Sequence, residues 1–316
     1  MADILHVSPH QVLNSNHELS MGFDWSANPY RGCSHGCHYC YARDTHRYLN
    51  LDIGRDFSKK LFVKDHFSDV LKKNLRHVPL NDVITLGTAT DPYQPLESKY
   101  RVTRSILEIL IETGHAISIT TKSPLILPDL DLPSVLGQRK QLQVHISLIS
   151  LDAQVIKILE PGAPNANRRI KTMAELLHHG VPTAWFLAPI LPFITDDDET
   201  LESIFSQARS LNVRWLMASV GHFTPSVYHY FFQTMAQTPL RSRLKQFAEV
   251  YHKPGYKIDP AYRIKLRRRL AQFYLRYGIA SSTESPQGFE SIRQTEFSFV
   301  TTESQCSSPD PMSIQA

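Results

Sequence analysis

Cysteine and long apolar runs are what this chain has least of. Four cysteines in 316 residues are too few for the stapled framework of a small secreted domain. The opening MADILHVSPHQVLNSNHELS has neither a basic start nor an apolar core, so no secretory signal is expected and a cytoplasmic setting is. The longest apolar window, residues 184–194, is interrupted by Pro189 and Pro192. It is far shorter than the ~20 residues that cross a bilayer, so no membrane partner is expected. Net charge is small, +4, but unevenly placed. Residues 241–280 carry eleven Lys and Arg against Glu249 and Asp259, a balance of +9, whereas residues 281–316 carry −4 and the first 240 about −1. With 42% hydrophobic residues, the chain can bury a substantial core as one large domain and an extension.

What is present is concentrated in one stretch, Gly32-Cys33-Ser34-His35-Gly36-Cys37-His38-Tyr39-Cys40-Tyr41. Three thiols within eight positions can hold a soft metal centre, yet they cannot close a tetrahedral zinc site alone. A four-iron, four-sulfide cluster is normally held by four cysteines, so three leave one iron open to another ligand. On spacing alone, a Cys3His zinc site that borrows His35 or His38 is the competing reading.

The pattern Cys33-x3-Cys37-x-Tyr39-Cys40 resembles the cluster motif of the radical S-adenosylmethionine (SAM) enzymes. The longer string from Asn28-Pro29-Tyr30-Arg31 to Tyr41-Ala42-Arg43 resembles the branch related to spore photoproduct lyase. The resemblance implies a 4Fe-4S cluster on Cys33, Cys37 and Cys40, with SAM bound at the fourth iron. It also implies a reductant such as flavodoxin or ferredoxin, cleavage of SAM to a 5′-deoxyadenosyl radical, and hydrogen abstraction from a substrate.

Periodicity divides the rest of the chain. An arm over residues 1–24 gives no strong signal. Extended segments are expected at 25–32, 83–87, 116–121, 142–149, 181–190 and 213–220, and helices at 65–75, 102–112, 154–159 and 168–179, with a further helix capped by the acidic run 195–199 and reaching 210. The alternation calls for an α/β fold with a mostly parallel sheet covered on both faces. The resemblance makes it an incomplete (β/α)6 TIM-like barrel over 25–220, followed by a basic helical extension, 221–280. In that extension Asp259, Pro260 and Gly278 frame a long amphipathic helix with an arginine face. Residues 281–316, including Cys306, read as a disordered tail.

Strand ends are where such folds place chemistry. After the second strand comes GTATDPYQPLE, residues 87–97, in place of the Gly-Gly-Glu-like segment of many superfamily members. There Thr88, Thr90 and Asp91 offer oxygens for the SAM amino group. Tyr93, Gln94 and Glu97 resemble the branch pattern on the substrate side, which makes Asp91, Tyr93 and Glu97 the catalytic candidates. By the same resemblance Lys122 and Ser147 lie near the methionyl part of SAM. Glu160 and Arg169 build its wall together with Tyr39, the aromatic of the cluster motif.

Spore photoproduct lyase also uses an extra cysteine as hydrogen donor. Here only Cys306 is left over, so that repair route is not expected.

Three functions compete. The first is a radical SAM enzyme, with nucleic acid favoured as substrate because Lys and Arg interleaved with Tyr and Phe can neutralise phosphates and stack bases. A solvated arginine face gives the same pattern. The second is a zinc protein that binds nucleic acid without catalysis, and the third a cluster-bearing electron-transfer or scaffold protein.

Overall fold

The computed structural model describes residues 2–16, 23–252 and 255–281. The expected disordered tail from residue 282 on, with Cys306, lies outside the described residues.

The strands are β1 (Asp3–Val7), β2 (Leu13–Ser15), β3 (Trp25–Ala27), β4 (Tyr30–Arg31), β5 (Lys60–Lys64), β6 (Val83–Leu86), β7 (Ala116–Thr121), β8 (Leu142–Ser147), β9 (Thr183–Ile190), β10 (Leu216–Val220), β11 (Tyr251–His252) and β12 (Lys257–Ile258). The α-helices are α1 (Phe67–Leu75), α2 (Glu97–Tyr100), α3 (Val102–Thr113), α4 (Asp131–Gln138), α5 (Ala153–Leu159), α6 (Ala166–His178), α7 (Asp198–Ser210), α8 (Pro225–Met235), α9 (Leu244–Glu249) and α10 (Pro260–Tyr277). A 3-10 helix, Tyr41–Leu49, follows the cysteines directly.

The main sheet runs β10-β9-β8-β7-β6-β3-β2. Every pairing from β10 to β3 is parallel, and β2 closes the edge antiparallel to β3. Strands adjacent in space are thus successive segments of an α/β alternation, and helical crossovers supply the reversal that parallel pairing needs. In β8, Leu142, Val144 and Ile146 belong to the apolar core, while Gln143, His145 and Ser147 alternate onto the other face. That second face continues across the sheet through Ser118 and Thr120 of β7, both beside His145.

Two elements differ from expectation. The N-terminal arm is not featureless: β1 pairs in parallel with β5, and β2 joins the main sheet. All five residues of β1 are exposed, so no buried face marks it in the sequence. Together β1, β5 and β4 form a small separate sheet from which the cysteine loop springs.

The long basic helix is as expected. Asp259 caps α10 by accepting from the Tyr262 amide at 2.8 Å, and Gly278 ends it at φ +61°. Leu266, Leu270 and Phe273 are buried, and Phe273 stacks on Phe205 of α7 at 5.3 Å. Part of its arginine face is neutralised: Arg269 pairs with Asp198 at 2.6 Å and Arg276 with Glu202 at 2.7 Å, both on α7. Among the described residues, no helix is long and apolar enough to cross a membrane.

Candidate active site

The cysteine loop begins where β4 ends, and its shape follows from one glycine. Gly32 sits at φ +77°, and a Cβ there would lie 2.9 Å from the carbonyl oxygens of both Phe57 and Lys60. No other residue type fits against that backbone. The turn lets the Cys33 amide donate to Phe57 O at 3.0 Å. Further along, the His38 amide donates to Leu159 O at 2.9 Å, which ties the loop to the end of α5.

Cys33 and Cys37 are buried, Cys40 is half-buried, and all three are free thiols. Burial pushes Cys33 up to about 12, with the Asp91 charge adding to it, and burial likewise raises Cys37 and Cys40. Left alone they stay protonated, and metal coordination must release those protons. Among the described residues no three thiol, imidazole or carboxylate groups gather around one point as ligands of a single metal ion. A four-iron cluster asks for a different arrangement, one thiolate on each of three separate irons. Three soft donors on one short loop fit that demand.

Arg43 holds the loop from behind, and nothing in the sequence marks it for that task. Its side chain is shut away from water at 1% exposure. The guanidinium donates to four backbone carbonyls: Cys37 at 2.8 Å, Gly36 at 2.5 Å, Ile53 at 2.7 Å and Gly54 at 3.0 Å. It also lies 5.0 Å from the Phe57 ring centroid and 4.5 Å from that of Tyr230. A buried cation with its donors satisfied in this way fixes the backbone on either side of Cys37.

A second buried network faces the cysteines from the strand ends. The Glu160 carboxylate accepts from Arg169 and from the Tyr39 hydroxyl, and Lys122 Nζ lies 3.9 Å away. Arg169, at 0% exposure, also donates to Pro164 O at 2.7 Å and to Ser147 O at 3.0 Å. Its neighbour Arg168 is exposed, so the packing itself selects Arg169. Burial opposes ionisation of Glu160, but Arg169 and Lys122 outweigh it and hold the carboxyl below its usual range. Burial opposes the charge on Lys122, and Glu160 and Cys37 overcome it to raise the ammonium. Ser147 donates to Ala188 O at 3.4 Å, a long and weak contact. Gly162 presses the Glu160-Pro161-Gly162 turn against the loop, since a Cβ there would lie 2.1 Å from Ser34 O.

The segment after β6 works as a brace. Thr90 donates to Gly32 O at 2.6 Å. Gln94 donates to Gly32 O at 3.1 Å and to Thr90 Oγ1 at 2.9 Å, and its carbonyl accepts from the Ser34 amide at 3.0 Å. Thr88 Oγ1 accepts from Asn28 at 2.9 Å.

Asp91 accepts from the Tyr93 and Lys122 amides at 2.9 and 2.8 Å and from the Thr121 hydroxyl at 2.7 Å, with His35 Nδ1 at 3.3 Å. Burial works against its charge, but His35 and these donors bring the carboxyl down to about 2. The unfolded chain, at ~3.9, therefore takes up the proton first as pH falls. Asp91 stabilises the fold fully above the unfolded value, and that contribution is lost as pH drops toward about 2. In urea unfolding of the apo-protein, wild type should exceed Asp91→Asn by about 2–3 kcal/mol near neutrality, the gap closing below pH ~4. A gap that does not change with pH would show that the carboxylate charge contributes nothing.

Two of the catalytic candidates, Tyr93 and Glu97, lie buried in the structure. Tyr93 is at 0% exposure within the core cluster. Glu97 accepts from the Thr103 and Arg104 amides at 3.0 Å each and from the Tyr30 hydroxyl, so it satisfies the first turn of α3. Gln94, also read as substrate-side, is tied to Gly32, Ser34 and Thr90. His145, on the second sheet face beside Ser118 and Thr120, is a feature that residue spacing did not single out. Burial lowers it to about 4, keeping it neutral, and its Nε2 is buried without a partner.

Parallel strand ends gathered around three thiols and a buried lysine-carboxylate-arginine network define a class: an α/β enzyme built to hold a cofactor. Residues 27–204 match the Radical SAM superfamily. This chain belongs to that superfamily, whose members are enzymes that use a 4Fe-4S cluster and SAM. An uncharacterized protein of Mycobacterium tuberculosis is 31% identical over 262 residues, covering 83% of this chain and 76% of that protein. Another, from Methanocaldococcus jannaschii, is 26% identical over 225 residues, with coverage of 71% and 76%. Solved structures of spore photoproduct lyase superpose with a TM-score of 0.65 over 87% of this chain and 79% of theirs. At 14% sequence identity, that likeness is one of fold.

Proposed function

We propose that Cys33, Cys37 and Cys40 hold the cluster within an incomplete (β/α)6 barrel over residues 25–220, and that the chain reductively cleaves SAM there. The observation that carries this reading is the position of the cysteine loop directly against the Lys122, Glu160 and Arg169 network at the strand ends. When bound, the cluster supplies an electron and SAM the 5′-deoxyadenosyl radical that takes hydrogen from a substrate.

The chain's own residues orient and shield. Lys122 offers its ammonium to the methionyl carboxylate, and Ser147 offers a hydroxyl whose present contact is weak enough to exchange. Glu160 and Arg169 keep Lys122 charged and fix Tyr39 as part of the cofactor wall. Thr88, Thr90 and Asp91 shape the segment that meets the amino group, Thr90 and Asp91 through the backbone they brace. Neutral His145 offers the inner sheet face an imidazole nitrogen that no protein group occupies.

Anaerobic reconstitution with iron and sulfide, then reduction with dithionite, tests the reading by formation of 5′-deoxyadenosine. A colourless protein containing zinc and no labile sulfide would instead support the zinc alternative. A brown protein that leaves SAM intact would support an electron-transfer or scaffold role.

Nucleic acid is the substrate class we favour, on the +9 balance of residues 241–280. Two of those arginines already face acids on α7, whereas Lys265 and Arg268 are exposed on α10. DNA and RNA should bind at low salt and weaken steeply as salt rises, by about 0.9 log units per log unit of salt for each duplex phosphate contacted. Absence of binding at low salt removes the preference.

A further inference from the structure

The second face of the main sheet holds a group that the chain itself leaves unsatisfied. In-register pairing brings Thr85 of β6, Ser118 and Thr120 of β7, His145 and Ser147 of β8 and Phe186 of β9 onto that face. None of the six carries a fixed charge, and Lys122 stands just past the end of β7.

His145 is at 5% exposure, and burial brings its imidazole down to about 4, so the ring is neutral near physiological pH. Its Nδ1 lies 3.4 Å from Ser118 Oγ and 3.5 Å from Thr120 Oγ1, contacts long enough to leave the ring either tautomer. Nε2, on the part of the ring farthest from its attachment to β8, is shut from water and meets no donor or acceptor among the described residues. A buried polar atom in that state costs free energy, and the chain has not relieved it with a hydroxyl or a carbonyl. The imidazole also stacks on Phe186, with centroids 5.9 Å apart and planes at 28°. Phe186 and Thr120 are only half-buried, so this part of the face opens to solvent.

We propose that this part of the sheet receives an uncharged base of the nucleic-acid substrate, with His145 Nε2 hydrogen-bonded to the base edge. The proposal rests on the nucleic-acid reading and adds to it which part of the polymer enters and which residue reads it. A phosphate would meet no cation on this face and would lose its hydration there, so the charged backbone stays outside. A base turned out of the strand suits the same place. Its edge offers a carbonyl to Nε2–H, or a ring N–H to the Nε2 lone pair, according to the tautomer. Phe186 shifts to admit it and then stacks on its flat side. Ser147, which offers its hydroxyl to SAM, is two residues along the same strand, about 6.6 Å away, so a base at His145 lies beside the cofactor.

The test is fluorescence-anisotropy titration of a labelled single-stranded oligodeoxynucleotide onto the reconstituted enzyme across a series of salt concentrations, beside SAM titration and urea unfolding. His145→Phe keeps a flat ring and removes the nitrogen. Its urea midpoint should be no lower than that of wild type, because an unsatisfied polar atom is gone. Its oligonucleotide affinity should fall about tenfold at every salt concentration, with the slope of log affinity against log salt unchanged. His145→Gln, which restores a hydrogen-bonding end, should recover part of the loss. A strand of the same backbone without bases should bind wild type and His145→Phe equally. Unchanged affinity of His145→Phe for the base-bearing strand overturns the proposal, and with a lowered urea midpoint it assigns the imidazole to the fold alone. A smaller salt slope also overturns it, since that marks a lost phosphate contact. So does loss of SAM affinity with oligonucleotide affinity intact, which assigns the ring to the cofactor wall. Failure of the nucleic-acid reading looks different: wild type itself would bind no oligonucleotide at low salt.

Discussion

Cys33→Ala, Cys37→Ala and Cys40→Ala should each reduce 5′-deoxyadenosine formation to background, whereas Cys306→Ala should leave it unchanged. The first three sit on one loop whose backbone is pinned at Gly32, at His38 and, through Arg43, at Gly36 and Cys37. A loop held so firmly cannot bring a substitute ligand to a vacated iron. Iron and sulfide determination on each reconstituted variant, alongside product analysis after dithionite reduction, checks the result. Normal turnover by Cys37→Ala would refute the assignment of the cluster ligands.

Arg169→Ala should destabilise the fold by about 3–5 kcal/mol, because it strands the Glu160 carboxylate in a buried site. The guanidinium and the carboxylate are both at 0% side-chain exposure, so water cannot replace the lost partner without opening the structure. The same change should abolish SAM binding, since Glu160 would lose the group that holds it opposite Lys122 and Tyr39. Pairing Arg169→Met with Glu160→Gln removes the stranded charge and should recover part of the stability while binding stays impaired. Urea unfolding and SAM titration separate the two effects. A cost below ~1 kcal/mol for Arg169→Ala would mean that the pair is solvated and does not form the wall.

Local patterns were legible where the responsible groups lie close in sequence. Asp259 and Gly278 frame α10, Gly114 ends α3 at φ +80°, and Asp197 caps α7 by accepting from the Thr200 amide at 2.9 Å. The runs that became β6 to β10 were readable because apolar and β-branched residues recur along them, in an unbroken buried run in β6 and at alternate positions in β8. By contrast, β1 hides nothing from water and left no trace.

The candidate site was only partly legible for the same reason. Tyr39 meets Glu160 across 121 residues, and Gln94 reaches the Gly32 carbonyl across 62. Glu97 shows how surroundings bear on such a reading. An acidic residue near a site motif looks available for chemistry until the amides of Thr103 and Arg104 are found to occupy both its oxygens. Arg43 stood inside the recognisable motif without a role, because nothing local distinguishes a buried guanidinium from a solvated one.

The amino-acid sequence by itself determined the three-thiol loop, the α/β alternation and the superfamily, all of which are written in spacings of a few residues. Only the tertiary structure decided which charges are buried and paired and which hydroxyls are already engaged. Burial and pairing arise from contacts between distant segments, and the free energy of a charge depends on that surrounding rather than on its neighbours in the chain.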